Sequence, residues 1–455
     1  MEKIKVFETF SGIGAQHKAL DILKQNNYIN YEVVGTSEWD IWANIAYNAI
    51  HNKNIDHTKN ISEKEINDFL IKFTHSRDSK TPLTNEQVIK LPIIIKQNLY
   101  NSIKNSNNLG SIVGVTGNMI SSQVGKIDLL TYSFPCQDLS TAGSFHGKNQ
   151  GMKKNSGTRS GLLWEIERIL KELKAKKELP KYLLLENVNN MISERHKDDY
   201  LMWLDFLNSI GYNTQTYVLE ANKYGCPQNR KRVFALSVRK DVTKEFKDTF
   251  LESKRTSIKE EKTPFDISKE IGIYKKTHEL LREDYSIEKY KNEAINAIPN
   301  RTDSRKRIFL NNKMLSTQEN TNIEKHSKNI YIQNGKTYSN FSSTITTKQD
   351  RDPNGGIINL KGTDLQNRYN EKKQIRKANF RLLTPRECYM LMGFSENDFD
   401  KVLSKAEQIN FSVSVRKKTF TDSILYRQSG NSISVNVLTS IFKVIADIEN
   451  KTFKG

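Results

Sequence analysis

Cysteine is scarce: the 455 residues hold three, Cys136, Cys226 and Cys388. Their wide spacing excludes a disulfide framework and a CxxC metal knuckle, so no metal is expected and each thiol is a candidate working group in a reducing compartment. Proline is sparse too, at 9, and the 22 glycines are scattered, which excludes collagen-like and proline-rich disordered chains. No apolar run nears the ~18 residues that cross a bilayer; the stretch at 91–95 is short and contains Pro92. Residues 1–7 lead straight into a strand-like pattern without an apolar signal stretch, so the expected location is cytoplasmic, away from the membrane. Negative charge is in deficit: 71 Lys and Arg face 52 Asp and Glu, leaving +19. Such an excess favours a polyanionic partner, because neutralising phosphates releases condensed counterions. Nucleic acid is the first expectation and an acidic membrane surface the second.

At this length two or three domains and at least one full core are expected. Residues 4–10 read as a buried strand, followed by the turn Ser11-Gly12-Ile13-Gly14 and a helical pattern through Ala19, Leu20, Ile22 and Leu23. Further strands are expected at 33–36, 127–132, 182–185, 217–219 and 233–238. Helical stripes lie between them: Leu162, Leu163, Ile166, Ile169, Leu170 and Leu173, then Leu201, Leu204 and Leu207. This alternation predicts a mostly parallel sheet with helices on both faces over residues 1–240, interrupted at 53–125 by a polar, helical insertion. From 241 to 380 the chain becomes basic and polar. Over 300–380, 16 Lys and Arg stand against 7 Asp and Glu, nearly half of the whole positive excess. Residues 381–455 regain helical character, ending in an apolar helix over 433–448 that could pack back on the first domain.

Four strand ends and one strand start carry chemistry. A glycine turn between the first strand and its helix lets backbone N–H groups approach a ligand, and Glu38-Trp39, after the second strand, puts an acid where nucleoside-binding sheets hold ribose hydroxyls. Together they favour a nucleoside cofactor, although either alone suits an ordinary tight connection or a surface acid. Phe134-Pro135-Cys136-Gln137 follows the strand at 127–132 and delivers a thiol to the edge where open α/β sheets bind ligands; a buried cysteine is otherwise a small apolar filler. The strand at 182–185 ends in Glu186-Asn187-Val188, bringing a carboxyl group to the same edge. Gln228-Asn229-Arg230-Lys231-Arg232 precedes the last strand, where alternate arginines can point one way, or simply form a solvated basic turn.

In this order, Phe10-Ser11-Gly12-Ile13-Gly14, Pro135-Cys136-Gln137, Glu186-Asn187-Val188, Gln228 to Arg232, the segment 381–394 and Gly430-Asn431-Ser432 resemble the C5-cytosine DNA methyltransferase family. Stretches 5–20, 127–140 and 157–170 look most like bacterial members related to the mollicute CpG methyltransferases. The resemblance implies a Rossmann-like, class I fold that uses S-adenosylmethionine, with a smaller irregular target recognition domain at 241–380 and a C-terminal segment, 381–455, returning to the catalytic domain. It also implies roles. Cys136 would be the nucleophile that adds to C6 of cytosine, Glu186 the group that hydrogen-bonds or protonates N3, and Arg232 the contact to the base carbonyl, supported by Arg230. Phe10, Gly12, Ile13, Gly14, Glu38, Trp39, Pro135, Leu162 and Asn431 would line the cofactor site, and 143–157, with Lys148, Lys153 and Lys154, would close over an extruded base. One departure stands out. The family's acid for the adenine amino group is absent before the nucleophile strand, where Gly114-Val115-Thr116-Gly117-Asn118 occurs, with Thr116 or Asn118 as substitutes.

The expected substrate is therefore double-stranded DNA, read by polar residues of 241–380 and held near Ser343-Thr344-Ile345-Thr346. A tRNA cytosine-C5 methyltransferase is the alternative enzyme, and a noncatalytic DNA-binding protein on the same fold the alternative class. An amino-methylating enzyme would need an Asp/Asn-Pro-Pro-aromatic loop, where Phe134-Pro135-Cys136 stands. A monomer is expected, in a restriction-modification setting whose endonuclease would be a separate protein.

Overall fold

The structure, a computed structural model, describes residues 2–53, 55–135, 159–243, 264–318, 329–413 and 419–452. Its centre is a six-stranded sheet of β1 (Ile4–Thr9), β2 (Tyr31–Ser37), β3 (Leu129–Tyr132), β4 (Tyr182–Val188), β5 (Tyr212–Glu220) and β6 (Lys231–Arg239), in the order β2-β1-β3-β4-β6-β5. The pairs β1/β2, β1/β3 and β3/β4 are parallel, and β6 is antiparallel to both β4 and β5. Five strands thus share a direction and β6 alone reverses.

Successive side chains in a strand face opposite sides of a sheet, and the burial follows that rule. Val6, Leu129 and Leu184 join the core under α1 (Ala15–Gln25), α2 (Ile41–His51) and the C-terminal helix Val435–Glu449. Their neighbours Phe7, Leu130, Leu183 and Leu185 join a second core under the helices Leu163–Ala175 and Lys197–Ser209. A sheet covered on both faces needs apolar residues at consecutive positions, and this one has them. In the helix Lys197–Ser209 the buried side chains are Tyr200, Trp203 and Leu207. Of the expected stripe, Leu207 is buried and Leu204 packs partly against the same core, while Leu201 lies off it, because a spacing of three drifts from a helical face that repeats every 3.6 residues.

The polar insertion folds as α3 (Glu63–Leu70), α4 (Asn85–Ile89) and α5 (Ile93–Ser106). Paired side-chain and backbone hydrogen bonds at Ser62/Glu65 and Thr84/Gln87 start α3 and α4, satisfying N–H groups that a helix end leaves unpaired. Past α5 the chain rejoins the main sheet, where Asn108 bridges Thr36 of β2 in parallel. A second, five-stranded sheet lies beyond residue 264. It runs β13 (Phe380–Leu382), β10 (Ile357–Asn359), β7 (Met314–Thr317), β9 (Lys336–Ser339), β8 (Ile330–Gln333), with a small separate hairpin of β11 (Tyr369–Asn370) and β12 (Ile375–Arg376). The chain returns through the helices Pro385–Met390, Glu396–Val413 and Asp422–Asn431 to Val435–Glu449, which packs along α1. Among the described residues no helix is long and apolar enough to cross a membrane.

Candidate functional site

The carboxyl ends of β1 and β2 meet in a cradle. After β1 the backbone passes through positive φ at Phe10 (52°), Gly12 (55°) and Gly14 (79°). A side chain at Gly14 would put its Cβ 2.3 Å from His51 Nε2, so only glycine fits this left-handed position against α2. Glu38, one residue past β2, accepts hydrogen bonds from the backbone N–H groups of Gly12 (3.0 Å), Trp39 (2.8 Å) and Asp40 (2.8 Å). Burial, reinforced by the neighbouring Asp40 carboxylate, pushes its carboxyl group up to about 7. Ile13 is buried and Trp39 half-buried beside it. A second acid, Glu8, lies under the turn; it accepts from Tyr47 Oη (2.8 Å), its Oε1 is buried without a partner, and burial pushes it up to about 8. Glu8 escaped the sequence reading, although an acid inside an otherwise apolar strand just before a glycine turn is a visible signal.

Glu186 and Arg232 come together because β6 runs backwards. Glu186 lies opposite Phe234 and Arg232 opposite Val188, so Arg232 is the diagonal neighbour of Glu186 on the same face. The strand that starts with the arginines thereby brings its first residues to the edge where β4 ends. Arg232 Nε sits 3.5 Å from Glu186 Oε1. Burial raises the Glu186 carboxyl group, and the Arg232 and Arg230 charges oppose that rise. Asn187 turns the other way and donates from Nδ2 to the Phe134 carbonyl (3.0 Å), tying the end of β4 to the residues just after β3. Pro135 is half-buried there. Cys136 and the segment 143–157 lie outside the described residues.

Arg230 has a different outlook. Its guanidinium donates to the carbonyls of Ile345 (3.1 Å), Gly430 (3.4 Å) and Ser432 (2.6 Å). It therefore joins the last strand of the main sheet to two motifs singled out in the sequence, Ser343 to Thr346 and Gly430 to Ser432. Gln228 reinforces the join, accepting from Ile345 N (3.0 Å) and donating to Leu391 O (2.9 Å). Asn431 ends the helix Asp422–Asn431 and is exposed, while Leu162 closes the short turn Arg159–Leu162 and packs against the second core.

The two substitutes suggested for the missing acid sit at a short helical turn. Thr116 caps a short helical turn through Met119 N (3.1 Å), and Asn118 is exposed. The segment that runs beside β2 is earlier: Leu109 N donates to Thr36 O (2.9 Å) and Ser37 Oγ to Gly110 O (2.7 Å). Residues 108–111 therefore border the cradle, which a reading without the sheet pairing could not place. Among the described residues one set of metal-type donors, His17, Asp21 and His51, comes within 4.8 Å. The two imidazoles stack at 4.3 Å and 8°, so a single ion cannot lie in both ring planes, and His51 Nε2 is taken by the Ile13 carbonyl (3.0 Å).

Comparisons with known proteins bear on the family and the fold. The profile of the C-5 cytosine-specific DNA methylase family matches residues 95–447. The orphan methyltransferase M.SssI of Spiroplasma monobiae is 34% identical over 98% of this chain and 97% of its own length. The type II methyltransferase M2.ScrFI of Lactococcus lactis subsp. cremoris is 30% identical over 97% of this chain and 98% of its own. Among solved structures, the Dnmt2 methyltransferase of S. pombe matches with a TM-score of 0.53 at 17% identity, covering 99% of this chain and 100% of that one, a likeness of fold.

Proposed function

Because this chain belongs to the C-5 cytosine-specific DNA methylase family, we propose that it methylates C5 of a cytosine swung out of duplex DNA, through a transient bond from Cys136 to C6, with S-adenosylmethionine as donor. The observation that carries the reading is the Glu186–Arg232 pair, 3.5 Å apart at the end of β4, beside a cradle suited to a nucleoside. The cradle fits the cofactor: Gly12 leaves its backbone bare and Glu38 offers a carboxylate for ribose hydroxyls. Phe10, Ile13, Trp39, Pro135, Leu162 and Asn431 complete its walls in this proposal. When bound, the cofactor supplies an electrophilic methyl group.

The protein's own residues do the rest. C5 of cytosine is a poor nucleophile, and addition of the Cys136 thiolate at C6 turns C5 into an enamine-like carbon. Negative charge then develops on the ring. Glu186, its acidity weakened by burial, hydrogen-bonds or protonates N3, and Arg232 holds the base carbonyl. After methylation the C5 proton leaves and elimination restores the thiol. The other two cysteines support the assignment: burial pushes Cys226 up to about 11 and Cys388 well above the usual thiol range, and both are buried, so neither serves as a thiolate. Residues 241–380 act as target recognition domain in this reading, with 1–240 and 381–455 as the catalytic body. Host DNA protection beside a separate endonuclease is the proposed setting, in a cytoplasmic monomer.

Cys136→Ala should abolish methyl transfer while duplex DNA binding persists, and wild-type protein should form a stable adduct on DNA carrying 5-fluorocytosine. Full turnover by the variant, or no adduct where ordinary DNA is methylated, overturns the mechanism. Bisulfite sequencing of methylated plasmid reads the target site, and parallel assays on tRNA separate the two substrate classes.

A further inference from the structure

The insertion between α2 and β3 sends one side chain into the cofactor cradle. Asn108 is 3% exposed, and its amide is divided between both backbone groups of Glu38. Oδ1 accepts from Glu38 N (3.1 Å) and Nδ2 donates to Glu38 O (2.9 Å). The same amide accepts from Gly110 N (2.9 Å) and donates to Asn44 Oδ1 (2.6 Å). Fixing the N–H and the C=O of one residue fixes the direction in which its side chain leaves the backbone. The Glu38 carboxylate then reaches back to Gly12 N at 3.0 Å. A run of hydrogen bonds therefore leads from the insertion, through the acid, to the glycine turn.

We propose that Asn108 is a positioning residue for cofactor binding, acting through Glu38, and that delivering it is a function of the 53–125 insertion. This rests on the reading of the cradle as the S-adenosylmethionine site. The chemistry demands an amide: an aspartate could accept from Glu38 N but could not donate to Glu38 O, and an aliphatic residue could do neither. The insertion's other asparagine ties have a different reach. Asn105 donates to Asn48 Oδ1 (3.1 Å) and Ile55 O (3.0 Å), and Asn107 to Val34 O (3.1 Å) and Gln123 O (3.2 Å). They brace the insertion against the body without touching Glu38, which makes Asn105 the internal control.

The test begins with calorimetric titration of the full-length protein with S-adenosylmethionine. A wild-type chain that does not bind it overturns the cofactor reading, and this proposal with it. Given binding, Asn108→Ala should weaken cofactor affinity about tenfold, as expected for losing buried hydrogen bonds to one group. The KM for cofactor should rise while kcat and duplex DNA affinity stay near wild type. Asn108→Asp, which keeps the acceptor, should lie between, and it serves if the alanine variant does not fold. Asn105→Ala should lower the melting temperature and leave cofactor affinity unchanged. In a Glu38→Gln background, Asn108→Ala should add little further loss, since the two act in series. Unchanged cofactor affinity in folded Asn108 variants, equal loss from Asn105→Ala, or fully additive losses with Glu38→Gln each overturn the proposal.

Discussion

Single residues set the pH behaviour. Burial raises the Glu186 carboxyl group, so it keeps its proton to higher pH than an ordinary glutamate, and methyl transfer should decline as pH rises through that elevated value. Glu186→Gln should lower kcat by about a hundredfold or more, the usual loss when a positioned acid is removed, and flatten that decline in a pH–rate profile. Glu8 and Glu38, raised to about 8 and about 7, act on the fold itself. A carboxyl group that binds its proton more tightly when folded contributes stability below its ordinary value and loses it as pH climbs through the folded value. The denaturation midpoint of cofactor-free protein should therefore fall between about pH 5 and about pH 9, and Glu8→Gln should reduce that fall. Sequence alone named Glu38 and Glu186, because each follows a recognisable strand. It missed Glu8 and Asn108, whose meaning depends on Tyr47 and Glu38, neighbours distant in the chain.

Elements were legible where the pattern was long and strong. The strands of the main sheet, the glycine turn and the helix Leu163–Ala175 follow from periodicity. The second sheet did not emerge, since its strands run only three or four residues, too short for an alternation to rise above a basic, polar background. The reversal of β6 was also hidden, because strand direction is set by connections and not by side-chain pattern, yet that reversal is what brings Arg232 to Glu186. Gly430 shows how tightly elements meet. A Cβ there would lie 2.4 Å from the backbone of Thr346 and Thr347, so the helix Asp422–Asn431 approaches that loop as only glycine permits. Gly430→Ala should cost about 1–3 kcal/mol, the usual penalty for overpacking, measured by denaturant unfolding, with duplex DNA binding weakened as the loop is displaced.

At the scale of the whole molecule, Arg230 is the junction. One buried guanidinium meets carbonyls from the loop between β9 and β10 of the second sheet and from the returning C-terminal segment. Arg230→Met should strand those carbonyls and destabilise the protein by about 2–4 kcal/mol, seen as a lower denaturation midpoint with the two lobes losing their cooperative transition. The +19 charge predicts a steep salt dependence: duplex affinity should drop by about a thousandfold or more between roughly 50 and 200 mM salt if six or more phosphates are contacted.

The packing of the helix Val435–Glu449 along α1 matters during synthesis. Because α1 is made long before Val435–Glu449, this contact cannot form until the later helix has been synthesised, and the matching side of α1 waits uncovered until then. A chain truncated before Val435 would leave that side of α1 bare and so be a ready client for chaperones and proteases.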